Sequence, residues 1–159
     1  MKKFSILMVC TANICRSPIA HGLLRHLIDL KELNDVVTVE SAGTHIFEKG
    51  LAPDVRAQQV AGQYGIDLSD LRSRNVCLQD FSKYDSILAM DYENYRILQE
   101  MCPEEHRHKI SMVMGFAPES GVIEVPDPYF GNIAGFERVF SMLELAMKGL
   151  AEHVHTNDS

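Results

Sequence analysis

The chain has 159 residues, 46% of them hydrophobic, which suits one domain around one core and argues against global disorder. Its formal net charge of -7 argues against broad binding to nucleic acid or to an anionic membrane, both of which need a basic face, while leaving room for a small local anion site. The four cysteines, Cys10, Cys15, Cys77 and Cys102, are too sparse for a secreted disulfide scaffold and include no CxxC pair of the kind that holds structural zinc.

The opening MKKFSILMVC resembles a signal peptide only in its charge and short apolar run, which ends without a small-residue cleavage site. No stretch is long enough to span a membrane, so the expectation is a cytoplasmic protein with reduced thiols. KFSILMVC reads as a strand buried on both faces, as in a parallel sheet. Ser17 to about Leu33 reads as a helix with Pro18 in its first turn and an apolar stripe of Ile19, Leu23, Leu24, Leu27, Ile28 and Leu30. A second strand is expected from Asp35 to Gly43. A helix follows over 52–66, started by Pro53 and Asp54 and stopped by Gly65. A third strand lies around Asp85 to Met90, a helix over 92–102 closed by Pro103, and a short fourth strand within HKISMVM. Gly115 to Gly135 lacks periodicity and is rich in Gly, Pro and Asp, so it reads as a long ordered loop, a type that tends to be functional. The last helix is expected over 135–154, and 155–159 as a disordered tail, which makes 1–154 a single domain. Alternating strands and helices imply a mostly parallel α/β sheet covered on both faces, with ligands outside the carboxyl ends of its strands.

The loop after the first strand, VCTANICRSP, stands at that end. Successive backbone N–H groups from Cys10 to Ser17 can curl into an anion-binding nest, and the following helix adds its positive N-terminus. Arg16 can fork two donors onto a tetrahedral oxyanion. The same field favours the thiolate of Cys10, whose unperturbed pKa is about 8.5, and Ser17 can donate to its sulfur. Five residues between Cys10 and Arg16 let the loop close once around the anion, with sulfur below and guanidinium beside it. That predicts in-line attack on phosphorus and a phosphocysteine intermediate. The bland alternative makes Cys10 a buried strand-end thiol and Arg16 a surface charge; the strand before and the helix after tell against it. Phosphoryl transfer also needs an acid for the leaving oxygen. Asp127, held between Pro126 and Pro128, is the best candidate, and Tyr129 and Phe130 after it can wall the pocket for an aryl group.

These residues resemble the low-molecular-weight protein tyrosine phosphatases. VCTANICRSPIA matches the family's signature loop and DPYF its general-acid loop, and SAGT (Ser41 to Thr44) and ILAMD (Ile87 to Asp91) are also similar, so the likeness runs over nearly the whole chain. The resemblance implies a three-layer α/β/α sandwich with a four-stranded parallel sheet, flavodoxin- or Rossmann-like. It implies Cys10 as nucleophile, Arg16 as phosphate binder and Asp127 as acid and then base. The loop residues Thr11, Ala12, Asn13, Ile14, Cys15 and Ser17 would hold the phosphate, and Phe47, Tyr129 and Phe130 would wall the cleft. Asn13, Ser17 and Ser41 would support the loop, and Cys15 would form a reversible disulfide with the nucleophile. The implied substrate is a phosphotyrosine protein or an aryl phosphate, the implied inhibitors are phosphate-like oxyanions, and no metal or cofactor is required. No nucleic-acid or membrane partner is expected, and the oligomeric state stays open.

Four positions depart from the family pattern. Ala12 stands where Gly is usual, so either the position takes no left-handed angle or the loop is strained. His21 replaces a Glu, a change expected to matter little. Leu71 stands where a His often braces the loop asparagine, so the resemblance supplies no brace for Asn13. Phe130 replaces a second Tyr. Two other readings compete. A thiol-dependent arsenate reductase on the same fold would relay oxidation through Cys77 and Cys102, although these are far apart in sequence; a non-enzymatic phosphoanion-binding module would not use Cys10, Arg16 and Asp127 together. His106, His108, His153 and His155 read as solvated, and Met112, Met114, Met142 and Met147 as core filler.

Overall fold

A computed structural model of the chain describes residues 2–158, the last four by their backbone alone; the disordered tail expected at 155–159 lies outside the fully described residues. The elements run β1 (Phe4–Cys10), α1 (Arg16–Leu30), β2 (Val37–Gly43), α2 (Val55–Gly62), α3 (Asp80–Lys83), β3 (Ser86–Ala89), α4 (Tyr92–Met101), β4 (Ile110–Met112) and α5 (Ile133–Asp158). All strand pairs are parallel, in the order β2-β1-β3-β4, with Cys10 opposite Gly43 at the carboxyl end. This is the three-layer, Rossmann-like α/β/α sandwich with a four-stranded parallel sheet.

The continuous apolar run of β1 explains its central place. Ile6, Met8 and Cys10 face a cluster built with α1, α2 and α5, while Leu7 and Val9 face a second cluster with Phe81, Tyr84, Leu98 and Cys102. Because β2 and β3 flank β1 on opposite sides, the chain reverses its direction of travel at β1, and a crevice opens beyond the carboxyl end of that strand.

Several boundaries differ from expectation. α1 stops at Leu30 because Glu32 takes a left-handed φ of 56°; Leu33, expected inside the helix, sends its N–H back to the Ile28 carbonyl at 2.9 Å and stays buried. β2 starts at Val37 rather than Asp35. α2 is shorter than the expected 52–66: Pro53 precedes it, the Asp54 carboxylate caps it by accepting from the Arg56 N–H at 2.8 Å, and Gly65, at φ 76°, lies in the turn that follows. The four-residue α3 was not expected. The long loop carries two short 3₁₀ turns, Val113–Phe116 and Pro118–Ser120, and α5 begins two residues earlier than expected. Among the described residues, no helix is long and apolar enough to cross a membrane.

Candidate active site

The loop from Thr11 to Cys15 joins the end of β1 to the start of α1. Its carbonyls are held by the surrounding scaffold: those of Cys10 and Thr11 accept from the N–H groups of Thr44 and His45, each at 2.9 Å, and that of Ile14 accepts from Asp54 at 2.8 Å. In a planar trans peptide the next N–H points the opposite way. The amides of Thr11, Ala12 and Cys15 therefore point away from the scaffold, toward the loop's concave side. The close approach is possible because residue 43 is Gly: a Cβ there would lie 2.5 Å from the Thr11 carbonyl oxygen.

Asn13 takes the left-handed angle in this loop (φ 59°), a conformation Asn tolerates better than most residues. Ala12 does not take it, so its departure from Gly brings no strain. The Asn13 amide is satisfied at both ends: Oδ1 accepts from the Arg74 backbone N–H at 3.0 Å, and Nδ2 donates to Ser17 Oγ at 2.7 Å. Ser17 Oγ, which receives that bond, lies 3.0 Å from Cys10 Sγ and 3.4 Å from the Ala42 carbonyl, and the shorter of these places its hydrogen within reach of the sulfur. The brace expected from a His at Leu71 is thus supplied by the main chain at Arg74, and Leu71 itself is buried in the core. Ser41 does not reach Asn13; its hydroxyl lies 3.0 Å from His21 Nδ1 and ties β2 to α1. His21, expected to matter little, is half-buried there, and burial first, then Arg25, lowers its pKa to about 4.

Arg16 is the largest of the fully buried side chains, only 1% exposed. Its Nη1 donates to Asp91 Oδ2 at 2.6 Å and to the Val125 carbonyl at 2.9 Å, and its Nη2 donates to Thr11 Oγ1 at 3.2 Å. Burial opposes its charge, yet Cys10, Asp91 and Asp127 outweigh that and raise its pKa. The same Nη2 lies 3.8 Å from Asp127 Oδ2. Asp91 caps α4 by accepting from the Asn94 N–H at 2.8 Å, and Asn94 Nδ2 donates to Thr11 Oγ1 at 3.2 Å. The sequence reading gave no role to Asp91 or Asn94. Their signal was an Asp that ends a strand and opens a helix at the sheet's carboxyl edge.

Asp127 Oδ1 accepts from the Tyr129 N–H at 3.1 Å, a local turn that holds the carboxyl beside the cleft with 43% of its side chain exposed. The Phe47 and Tyr129 rings pack with centroids 5.6 Å apart, and Phe130 meets the Tyr129 ring edge-on at 5.0 Å. A cavity of about 140 Å³ brings together Cys10, Thr11, Ala12, Ile14, Cys15, Arg16, Phe47, Asp127, Tyr129 and Phe130. Asn13 and Ser17, expected both to hold the phosphate and to support the loop, and Ser41, expected to support it, are not among those walls. Cys15 lies beside Cys10, and burial first, then Asp54, pushes its thiol well above the ordinary range, so it is protonated at neutral pH. The arrangement sets a sulfur at the floor, a turn of inward-pointing amides around it, a buried cation at one side and a carboxyl at the mouth.

Comparison with known proteins fits this geometry. The profile of the family "Low molecular weight phosphotyrosine protein phosphatase" matches residues 5–159. The low molecular weight phosphotyrosine protein phosphatase of Rattus norvegicus is 34% identical over 153 residues, covering 95% of this chain and 96% of the rat protein. The crystal structure of a protein tyrosine phosphatase from Entamoeba histolytica, which holds Hepes in its active site, superposes with a TM-score of 0.93 at 35% identity, covering 99% of this chain and all of that one. An arginine phosphatase from Geobacillus stearothermophilus superposes with a TM-score of 0.84 at 30% identity, covering 97% and 94% of the two chains. A family profile spanning nearly the entire chain, and relatives matched over almost their whole length, establish that this protein belongs to the low molecular weight phosphotyrosine protein phosphatase family.

Proposed function

We propose that this phosphatase hydrolyses phosphotyrosine in proteins, and aryl phosphate monoesters generally, through a phosphocysteine intermediate. The observation that carries the reading is the convergence of Cys10, Arg16 and Asp127 on one small cavity whose outer walls are Phe47, Tyr129 and Phe130. The phosphoryl group sits in the loop, its oxygens against the backbone amides and the guanidinium edge of Arg16. The Cys10 thiolate attacks phosphorus, the bond to the aryl oxygen breaks, and Asp127 gives that oxygen its proton. Asp127, now a carboxylate, takes a proton from water; the water oxygen attacks phosphorus, the P–S bond breaks, and inorganic phosphate and the thiolate are released. Arg16 and the amides, already fixed in place, stabilise the charge on the equatorial oxygens at little reorganisation cost. Ser17 steadies the thiolate while it is the leaving group. Hepes, found in the Entamoeba relative's site, is a sulfonate, an oxyanion of the kind expected to inhibit.

Two other substrates are weighed by the walls and thiols. A phosphorylated guanidine, the substrate class suggested by the Geobacillus relative, would put a polar group where this cleft offers rings. Arsenate reduction would need a thiol relay, but Cys102 is buried on the face of the sheet opposite Cys10 and Cys15. The test is rapid-quench kinetics on p-nitrophenyl phosphate with mass spectrometry of the quenched protein. A burst of phenolate and a phosphate adduct on Cys10 are expected, both lost in Cys10→Ser. In kcat/KM, which reports only the steps through cleavage of the bond to the aryl oxygen, Asp127→Asn should slow phenyl phosphate by about 10²–10⁴-fold and p-nitrophenyl phosphate, whose leaving oxygen needs no proton, much less. A phosphotyrosine peptide should exceed a phosphoarginine peptide in kcat/KM by about 10-fold or more. A burst without an adduct on Cys10, or the reverse peptide preference, refutes the reading.

A further inference from the structure

Arg56 stands in the first turn of α2 and reaches in two directions. Nε and Nη2 donate to the two carboxylate oxygens of Asp54 at 3.0 and 2.9 Å. Nη2 also donates to the Tyr129 carbonyl, and Nη1 to the Gly131 carbonyl, each at 3.0 Å. The guanidinium carbon lies 4.4 Å from the centre of the Phe136 ring and 5.7 Å from that of Tyr129. Asp54, on the other side, sends its backbone N–H to the Ile14 carbonyl at 2.8 Å. One continuous set of hydrogen bonds therefore runs from the loop that carries Cys10 to the turn that carries Asp127.

Apart from Arg56, that turn is anchored upstream at buried Val125, whose N–H donates to the Met90 carbonyl at 2.8 Å and whose carbonyl accepts from Arg16 Nη1 at 2.9 Å, and by buried Pro128. Gly131 N–H closes it onto the Pro128 carbonyl at 3.0 Å, but Phe130 at its tip is 91% exposed and half-exposed Asp127 has little packing of its own. The Asp127 carboxyl is aimed by the Tyr129 amide, and the next peptide group, at the Tyr129 carbonyl, is the one Arg56 holds.

We propose that Arg56 is a positioning residue for the general acid: it latches the Asp127 turn to the phosphate loop and keeps the Tyr129 ring against the cleft. The proposal rests on the reading of Asp127 as acid. A planar fork is needed, because one edge must hold a carboxylate while the remaining N–H groups reach two carbonyls; the compact ammonium of Lys cannot do both. Freeing the turn leaves Cys10, Arg16 and the amides in place, so nucleophilic attack survives while proton delivery suffers.

The test measures Arg56→Met and Arg56→Lys beside Asp127→Asn, on phenyl phosphate and p-nitrophenyl phosphate, with vanadate inhibition as the check that the phosphate loop is folded. Both Arg56 variants should lose about 10- to 100-fold in kcat/KM on phenyl phosphate, as expected for a displacement of about 1 Å. In kcat/KM on p-nitrophenyl phosphate they should lose less than about threefold, with vanadate inhibition unchanged. Adding Arg56→Met to Asp127→Asn should cost nothing more on phenyl phosphate. Should Arg56→Met fail to fold, Arg56→Lys, which keeps the charge beside Asp54, carries the measurement. Equal losses on both esters with weakened vanadate inhibition overturn the proposal, since Arg56 then serves the phosphate loop through Asp54. Parent-like turnover of phenyl phosphate in Arg56→Lys or Arg56→Met overturns it too. If Asp127→Asn itself ignores the leaving group, the acid assignment falls and the latch with it; if Asp127→Asn responds and the Arg56 variants do not, the latch alone falls.

Discussion

Acid should weaken this fold through His21. Its ring sits in the second turn of α1 with Nδ1 3.0 Å from Ser41 Oγ, and burial, then Arg25, lowers its pKa from 6.5 to about 4, against the opposite pull of Glu40 and Asp70. The unfolded chain takes up the proton near pH 6.5, the folded chain only near 4. Between those values the unfolded state binds more protons, so the stability held by neutral His21 is complete above pH 6.5 and drains away as pH falls toward 4. Integrating the linkage from pH 7 to pH 4.5 gives a loss of about 2 kcal/mol. His21→Gln keeps an acceptor for the Ser41 hydroxyl and removes the titration. Urea unfolding followed by circular dichroism, since the chain has no Trp, measures both proteins at pH 7, 5.5 and 4.5. Asp54, Asp67, Asp70 and Glu40, whose pKa values are lowered in the fold, also cost stability on acidification, but in both proteins, so the difference isolates His21. With a urea slope of about 2 kcal/mol per molar, the parent midpoint should fall about 1 M further than that of His21→Gln. Parallel pH profiles for the two proteins would refute the assignment of His21 as a buried neutral ring.

Three further outcomes follow from particular contacts. Asp91→Ala removes the close carboxylate partner of buried Arg16 and the cap of α4 together, and should cost about 3–5 kcal/mol in urea unfolding and weaken vanadate binding, whereas Asp91→Asn retains the cap and should lose less; equal stability of Asp91→Ala and the parent would contradict this. Gly149→Ala should destabilise by about 1–3 kcal/mol despite the better helix former, because its Cβ would stand 1.9 Å from the Phe116 carbonyl oxygen, while Gly62→Ala, with nothing within 4 Å, should stabilise; a thermal shift of the same sign in both would count against the packing argument. Excess peroxide should oxidise Cys10 to the sulfenic acid, which the Cys15 thiol in the same cavity displaces as a disulfide with loss of water, whereas in Cys15→Ser a second peroxide carries the sulfenic acid on to the sulfinic acid, so dithiothreitol restores activity in the parent and fails in Cys15→Ser; recovery in both, or sulfinic acid at Cys10 in the parent, would count against it.

The order of strands and helices was legible because burial imposes periodicity: β1 had to be apolar on both faces, and α1 had to carry a stripe. Boundaries were less so, since α1 ends on a left-handed Glu32 rather than on the Gly that usually marks such a stop. Cys10, Arg16 and Asp127 stood out for a related reason. Groups that would touch phosphorus or the leaving oxygen are confined to a few residue types at fixed spacing in one short loop or turn. The parts that hold them have no such confinement. Asn13 is braced by a backbone N–H 61 residues away, and a main-chain amide leaves no mark in the identity of Arg74. Ser41 was assigned to the loop because its neighbours in sequence resembled a motif, yet the register of β2 against β1 faces it toward His21 on α1. Arg56 meets the Tyr129 carbonyl across 73 residues, and any residue at 129 offers that carbonyl. Departures such as Ala12 and Leu71 therefore altered residues without altering the scaffold, because the restraint they were expected to weaken is carried by peptide groups that no side-chain substitution removes.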